Sequence, residues 1–241
     1  MRFYSKIDIG KLRASNQDDC RVSVLSGGAV LAVVCDGMGG ANAGNVASEH
    51  AVKAITDYVV SSFRSEMDTV AISRMLVAAI RSANIEIYDM AINNVGLSGM
   101  GTTVVAAVVV GNTCVLAHVG DSRAYIVNGD IKQLTRDHSV VQSLIESGKL
   151  TPEEARVHPR KNVITRALGT EEDVLPDCGE FTLNEGDTVL ICTDGLTNFV
   201  ENEEILDIFR KNDISRVVDV LVARANHNGG GDNITAVTVT V

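Results

Sequence analysis

Hydrophobic positions along the chain follow two periods, and the switch between them outlines the fold. Short apolar or alternating runs at residues 2–9, 20–25 and 29–35 predict strands. Then the period lengthens. Ala47, Ala51, Ala54, Ile55, Tyr58 and Val59 recur at helical spacing, with Lys53 and Asp57 on the other face. Met75, Leu76, Ala79, Ile80, Ala83, Ile87 and Met90 form the apolar stripe of a second long helix. Residues 101–134 return to strands, with Gly111-Asn112 and Asn128-Gly129-Asp130 as hairpin turns. Further strands are predicted near 178–183, 187–192 and 234–240. Between the last two lie helices near 202–209 and 214–225, the latter burying Val217, Val218, Leu221, Val222 and Ala225. Strand and helix do not alternate along this order. The pattern predicts an α+β fold of mainly antiparallel sheets covered by segregated helices, not a doubly wound parallel sheet. With no internal repeat, low-complexity tract or Pro-rich linker, residues 1–241 read as a single domain.

Residues 137–168 break the pattern. Thr151-Pro152-Glu153-Glu154 predicts a capping box, with Thr151 as N-cap, Pro152 at the first helical position and Glu154 reaching back. Around it cluster Lys149, Arg156, His158, Arg160, Lys161 and Arg166, with few large apolar residues as anchors. This stretch reads as an excursion, a flap beside a site, although a solvated surface face accounts for the same charges.

Composition narrows the function classes. A hydrophobic fraction of 45% and a charged fraction of 22% suit a water-soluble globular protein. No apolar stretch approaches membrane-spanning length, so no membrane insertion is expected. The first residues lack the apolar core of a signal peptide. The five cysteines form an odd set without C-x-x-C spacing, and Cys35 and Cys192 lie inside apolar runs. They read as reduced thiols of a cytoplasmic protein. A net charge of −10 and the absence of Trp argue against nucleic acid as a partner. For oligomeric state a monomer is the default.

The chemistry lies where apolar runs end. Val33-Val34-Cys35-Asp36-Gly37, His118-Val119-Gly120-Asp121 and Ile191-Cys192-Thr193-Asp194-Gly195 each pass from apolar residues to an aspartate beside a glycine, and Gly230-Gly231-Asp232-Asn233 repeats the Gly-Asp pair. A fifth acidic site is Asn16-Gln17-Asp18-Asp19. Asp and Gly are common in turns, so one such pair means little. Repeated at several strand ends, the carboxylates can converge on one point, where only cations would offset their repulsion. Oxygen ligands without a His or Cys cluster suit Mg²⁺ or Mn²⁺ rather than Zn²⁺.

Eight segments resemble, in order, the PP2C-type (PPM family) metal-dependent protein serine/threonine phosphatases. They are Arg13-Ala14-Ser15-Asn16-Gln17-Asp18, Asp36-Gly37-Met38-Gly39-Gly40, Gly101-Thr102-Thr103, Val119-Gly120-Asp121-Ser122-Arg123, Leu134-Thr135-Arg136-Asp137-His138-Ser139, Ile164-Thr165-Arg166-Ala167-Leu168-Gly169, Thr193-Asp194-Gly195-Leu196 and Gly231-Asp232-Asn233. Each is weak alone; in order they are specific, and they cover nearly the whole chain. The compact length and Asp-Gly-Met-Gly-Gly look like the bacterial branch.

The resemblance implies an α-β-β-α sandwich of two antiparallel sheets flanked by helix pairs, with a metal cleft at one edge. It implies that Asp36 bridges two Mn²⁺ or Mg²⁺ ions, that Asp194 and Asp232 hold the first, and that the Gly37 carbonyl binds the second. Asp18 would act through metal-bound water, and Asp121 with Asp194 matches the position of a third ion. Arg13 would grip the phosphate. The implied reaction hydrolyses phosphoserine and phosphothreonine through a metal-bridging hydroxide. The implied partners are phosphorylated Ser/Thr proteins and a cognate Ser/Thr kinase.

Three positions depart from the family pattern. Ala41 stands where bacterial relatives often carry His, and Asn45 where they carry an acidic residue. Met38 stands where eukaryotic members carry a His proposed to protonate the leaving group. Two other readings stay open: a metal phosphohydrolase acting on small molecules, and a catalytically silent regulator. His138 reads as a structural residue under the flap, and His50 and His118 as ordinary packed residues. Gly101-Thr102-Thr103 lacks a following P-loop lysine and reads as a strand start.

Overall fold

Strands that read as unbroken apolar runs do so because both of their faces are covered. The computed structural model describes residues 1–40 and 43–241. Its order is β1 (Arg2–Asp8), β2 (Asp18–Val24), β3 (Val30–Met38), α1 (Gly44–Ser62), α2 (Thr69–Asn93), β4 (Gly101–Thr102), β5 (Val104–Val110), β6 (Thr113–Val119), β7 (Arg123–Val127), β8 (Ile131–Gln133), α3 (Val140–Glu146), α4 (Pro152–Arg156), β9 (Asp177–Thr182), β10 (Thr188–Cys192), α5 (Asp194–Thr197), α6 (Asn202–Lys211), α7 (Ile214–His227) and β11 (Ile234–Thr240). One sheet runs β1-β11-β10-β7-β8; the other runs β2-β3-β5-β6-β9, with β4 paired to β3. Every pairing between these strands is antiparallel.

Alternation along the strands builds three layers of core. On β3, Val30, Ala32 and Val34 enter the core between the sheets, while Leu31, Val33 and Cys35 pack beneath α1 and α2. β5 divides in the same way, with Val105, Ala107 and Val109 facing the other sheet and Val104, Ala106 and Val108 facing the helices. On the far side, Leu190 and Cys192 of β10 and Ile234 and Ala236 of β11 meet Val217, Leu221 and Val222 of α7. The α-β-β-α sandwich implied by the resemblance is the architecture found. Among the described residues no helix is long and apolar enough to cross a membrane.

Local signals hold where the chemistry is local. Thr151 Oγ1 accepts the Glu154 N–H at 3.2 Å, and Glu154 Oε2 accepts the Thr151 N–H at 2.8 Å, completing the predicted capping box. The β5–β6 hairpin turns through Gly111-Asn112, with Gly111 at φ +55°.

Three readings of the sequence are corrected. The strand predicted at 29–35 does not end before Asp36-Gly37: it runs on as β3, where Gly37 and Met38 pair with Thr102 and Gly101. Helix α3 was not predicted: Val140, Val141, Leu144 and Ile145 share one of its faces, but they are only half-buried. His50 is not packed in a core; it is half-buried, with Nε2 2.8 Å from Glu86 Oε2.

Candidate metal centre

The sandwich delivers its aspartates to one edge. Asp18 opens β2 and Asp36 lies near the end of β3, and the two are Cα partners across the ladder. Asp121 follows β6, Asp194 follows β10, and Asp232 precedes β11. Arg13, Asp36, Gly37, Asp121, Asp194 and Asp232 line one cavity of ≈ 260 Å³, while Asp18 sits behind it at 7% exposure. All seven residues singled out from the sequence thus lie in or against a single site.

The strand backbone fixes Asp36 on both sides. Its N–H donates to Thr103 Oγ1 at 3.0 Å. Its carbonyl accepts from the Thr103 N–H at 2.8 Å and from Thr102 Oγ1 at 2.9 Å. Gly37 donates its N–H to the Gln17 carbonyl at 2.9 Å. A Cβ at 37 would lie 2.1 Å from the Gly44 carbonyl oxygen and 2.6 Å from that of Gln17. Two neighbouring backbones therefore require glycine there.

Asp18 is held by residues that sequence inspection missed. Its Oδ2 accepts from Thr193 Oγ1 at 2.8 Å and Thr235 Oγ1 at 2.7 Å. Its Oδ1 is buried with no hydrogen-bond partner among the described residues. Burial pushes the carboxyl up to about 7, helped by the charges of Asp194 and Asp232 and opposed by the two hydroxyls. The available signal was a threonine inside an apolar strand, Ile234-Thr235-Ala236.

Neighbouring carboxylates show the same strain. Burial and the charges of Asp18, Asp194, Asp121 and Asp232 raise Asp36 far above the carboxylate range. Asp121 is raised by burial and then by Asp194 and Asp137, with Arg123 opposing. Asp194 is raised by burial and Asp232 and eased by hydrogen bonds with Asp36 and Asn198. Asn198 Nδ2 donates to Asp194 Oδ2 at 2.9 Å. Asp232 is paired with Arg13, whose Nη2 lies 2.8 Å from Oδ2. Arg13 is therefore at the site, but it engages a carboxylate here.

Asn233 ties the segment carrying Arg13 to Asp232, another role missed in the sequence. Its Oδ1 accepts the Gln17 N–H at 2.8 Å, and its Nδ2 donates to the carbonyls of Ile9 and Ser15 at 2.9 and 3.0 Å. Thr103 Oγ1, besides holding Asp36, lies 2.7 Å from Ser122 Oγ, next to Asp121.

The residues fit divalent cations. Arg13 pairs with Asp232, and Arg123, beside Asp121 and Asp194, is already bound through Nη2 to Asp137 Oδ2 at 2.7 Å. The donors are all oxygen, one of them buried and orphaned, which suits Mg²⁺ or Mn²⁺. His118, His138 and Asp177 bring three possible ligand atoms within 4.8 Å of one another, yet they do not suit a cation. His138 Nδ1 accepts the Gly120 N–H at 3.0 Å, so Nε2 carries the ring proton, and the Arg166 guanidinium sits 3.0 Å from it.

Helices α3 and α4 border a second cleft of ≈ 300 Å³ that shares Asp121 and Asp194 with the first. Arg156 of α4 pairs with Glu201 on the opposite wall, while Asn162 and Ile164 reach the metal cavity. Asn45 lies in the first turn of α1; Ala41 lies outside the described residues.

A sequence model of the family described as protein phosphatase 2C matches residues 11–229. Protein phosphatase PhpP of Streptococcus pneumoniae is 40% identical over 240 residues, covering 97% of this chain and 95% of the relative. The solved serine/threonine phosphatase of S. agalactiae superposes with a TM-score of 0.94 at 38% identity, covering 100% of this chain and 99% of that one. A PstP catalytic domain solved with two manganese ions superposes with a TM-score of 0.87 at 33% identity, covering 98% and 96%.

Proposed function

The chain belongs to the protein phosphatase 2C family, and from that premise we propose how its residues carry the reaction. It is a metal-dependent protein serine/threonine phosphatase of the bacterial type, acting on phosphorylated proteins. In our reading Asp36 would help hold two Mn²⁺ or Mg²⁺ ions, one together with Asp194 and Asp232 and the other with the Gly37 carbonyl. Asp121 and Asp194 would hold a third. Such ions supply a water of lowered pKa and screen the phosphate's charge.

The remaining work falls to the chain. Arg13 exchanges its contact with Asp232 for the phosphate oxygens, for which a planar, permanently charged guanidinium is suited. Asp18, held through Oδ2 by Thr193 and Thr235, presents its unpartnered Oδ1 to orient the attacking water. As the water oxygen bonds to phosphorus and gives up a proton to solvent, the bond to the seryl or threonyl oxygen breaks. Met38 lines the cavity and has no proton to give, so solvent protonates the leaving oxygen. No side chain is assigned as a nucleophile.

One observation carries this reading: five aspartates at one site, two of them directly opposed and one of them paired with Arg13. We also treat residues 1–241 as one domain in which residues 137–168 form a flap over the site. The protein is read as a cytoplasmic monomer opposing a Ser/Thr kinase; the five cysteines, all free, support the compartment.

The test is phosphate release from a phosphothreonine peptide in EDTA, Mg²⁺ or Mn²⁺, beside an Asp36→Asn control. Metal-dependent release that the control loses supports the assignment. No release with any metal, from protein shown to be folded, would overturn it, and turnover of nucleotides alone would redirect it to small-molecule phosphates.

A further inference from the structure

Gly120 is clamped at both polar backbone atoms by one residue. Its N–H donates to His138 Nδ1 at 3.0 Å, and its carbonyl accepts the His138 N–H at 2.9 Å. The next residue is Asp121. We propose that His138 is a positioning residue for the third-ion site, acting through Gly120 to hold Asp121 where it shares a cation with Asp194. The inference rests on the metal reading above.

The backbone at Gly120 has little other freedom. It sits at φ +105°, and a Cβ there would come within 2.6 Å of the Thr103 side chain. Thr103 in turn holds Asp36 and Ser122. Gly120 is thus gripped from the strand side by Thr103 and from the flap side by His138.

His138 is well fixed for this task. It is buried, and its ring stacks on His118 at a centroid distance of 4.9 Å and an interplanar angle of 6°. His118 is anchored by Nε2 to the Arg136 carbonyl at 2.9 Å. His138 Nε2 faces Asp177 Oδ2 at 3.3 Å. The His138 carbonyl accepts the Thr165 N–H at 2.8 Å, where residues 137–168 return to the body. Burial also lowers the imidazole's pKa, which favours the neutral ring with a lone pair on Nδ1. A single residue, through its side chain and its backbone, therefore links the Asp121 turn to both ends of the flap.

Nδ1 is the operative atom, and substitutions can isolate it. An Asn carbonyl can occupy the place of Nδ1, whereas a Gln carbonyl reaches toward the place of Nε2. Leu keeps apolar bulk and offers no acceptor. Calorimetric titration of the metal-free chain with Mn²⁺ counts ions and affinities, with thermal melts in EDTA to establish folding.

The wild type is expected to take two tighter ions and a weaker third. His138→Leu and His138→Gln weaken the third about tenfold, the scale of one lost buried hydrogen bond, and leave the other two unchanged. His138→Asn binds all three within about twofold of the wild type. If His138→Leu does not fold, His138→Gln carries the comparison. An unchanged third ion in His138→Leu or His138→Gln overturns the proposal. So does a His138→Asn variant as weak as those two, or a uniform loss of all three ions. A wild type that binds two ions and no third overturns the inference alone, whereas a wild type that binds no Mn²⁺ overturns the metal reading beneath it.

Discussion

Asp18 and Asp36 face each other as Cα partners across the β2–β3 ladder. Directly opposed like charges destabilise a strand pair. Here burial adds to the repulsion, because both carboxyls are pushed upward in pKa. A proton or a cation relieves the conflict, and only the cation leaves the carboxylates ionised. The edge of the sandwich therefore forgoes stability for metal affinity.

Asp36→Asn should separate those two quantities. Removing one charge is expected to stabilise the metal-free protein by about 1 kcal/mol, roughly 2–4 °C for a chain of this size. The same variant should lose the Mn²⁺-induced rise in melting temperature and nearly all turnover. Melting curves with EDTA and with Mn²⁺ check it; a metal-free variant less stable than the wild type would contradict the repulsion argument.

The pH dependence of the metal-free protein has a definite sign. Asp18 is raised from 3.8 to about 7, so folding takes up a proton in that window. The resulting stability is fully present below pH 3.8 and is lost as pH rises through about 7. Asp36, Asp121 and Asp194 shift in the same direction. Melting temperature in EDTA should fall between about pH 5 and 8, and Mn²⁺ at the upper end should restore it. A melting temperature that climbs with pH in EDTA would refute the cluster's role.

Asn233→Ala removes three hydrogen bonds at once, to Gln17, Ile9 and Ser15. Its expected cost is about 2–3 kcal/mol. Because these bonds place the segment carrying Arg13, KM for a phosphopeptide should rise more than kcat falls, in the direction of Arg13→Ala. Steady-state kinetics on both variants decide this; a pure kcat loss in Asn233→Ala would place its effect on Asp232 instead.

Glu201→Gln frees Arg156 and with it one tie between α4 and the body. The pair is exposed, so stability should change by less than about 1 kcal/mol. Hydrogen exchange should nonetheless quicken across residues 140–163 and stay unchanged in β3 and β5. Exchange across residues 140–163 that matches the wild type would mean that the pair does not restrain the flap.

Much of this protein was legible along the chain because the causes were local. Apolar runs such as Val104–Val110 marked strands covered on both faces, helical spacing marked α1, α2, α6 and α7, and Thr151-Pro152-Glu153-Glu154 marked a cap whose bonds span three residues. The aspartates were visible as breaks at the ends of those runs, and Arg13, Asp18, Asp36, Gly37, Asp121, Asp194 and Asp232 do meet at one edge. Periodicity did not single out α3, whose apolar residues are only half-buried. Nor did it reveal the partners of Asp18, which lie 175 and 217 positions away, the backbone contact that demands glycine at 37, or the grip of His138 on Gly120. A side-chain period records which face of an element is covered. Which distant residue covers it depends on strand order and register, and these arise when the two sheets pack together.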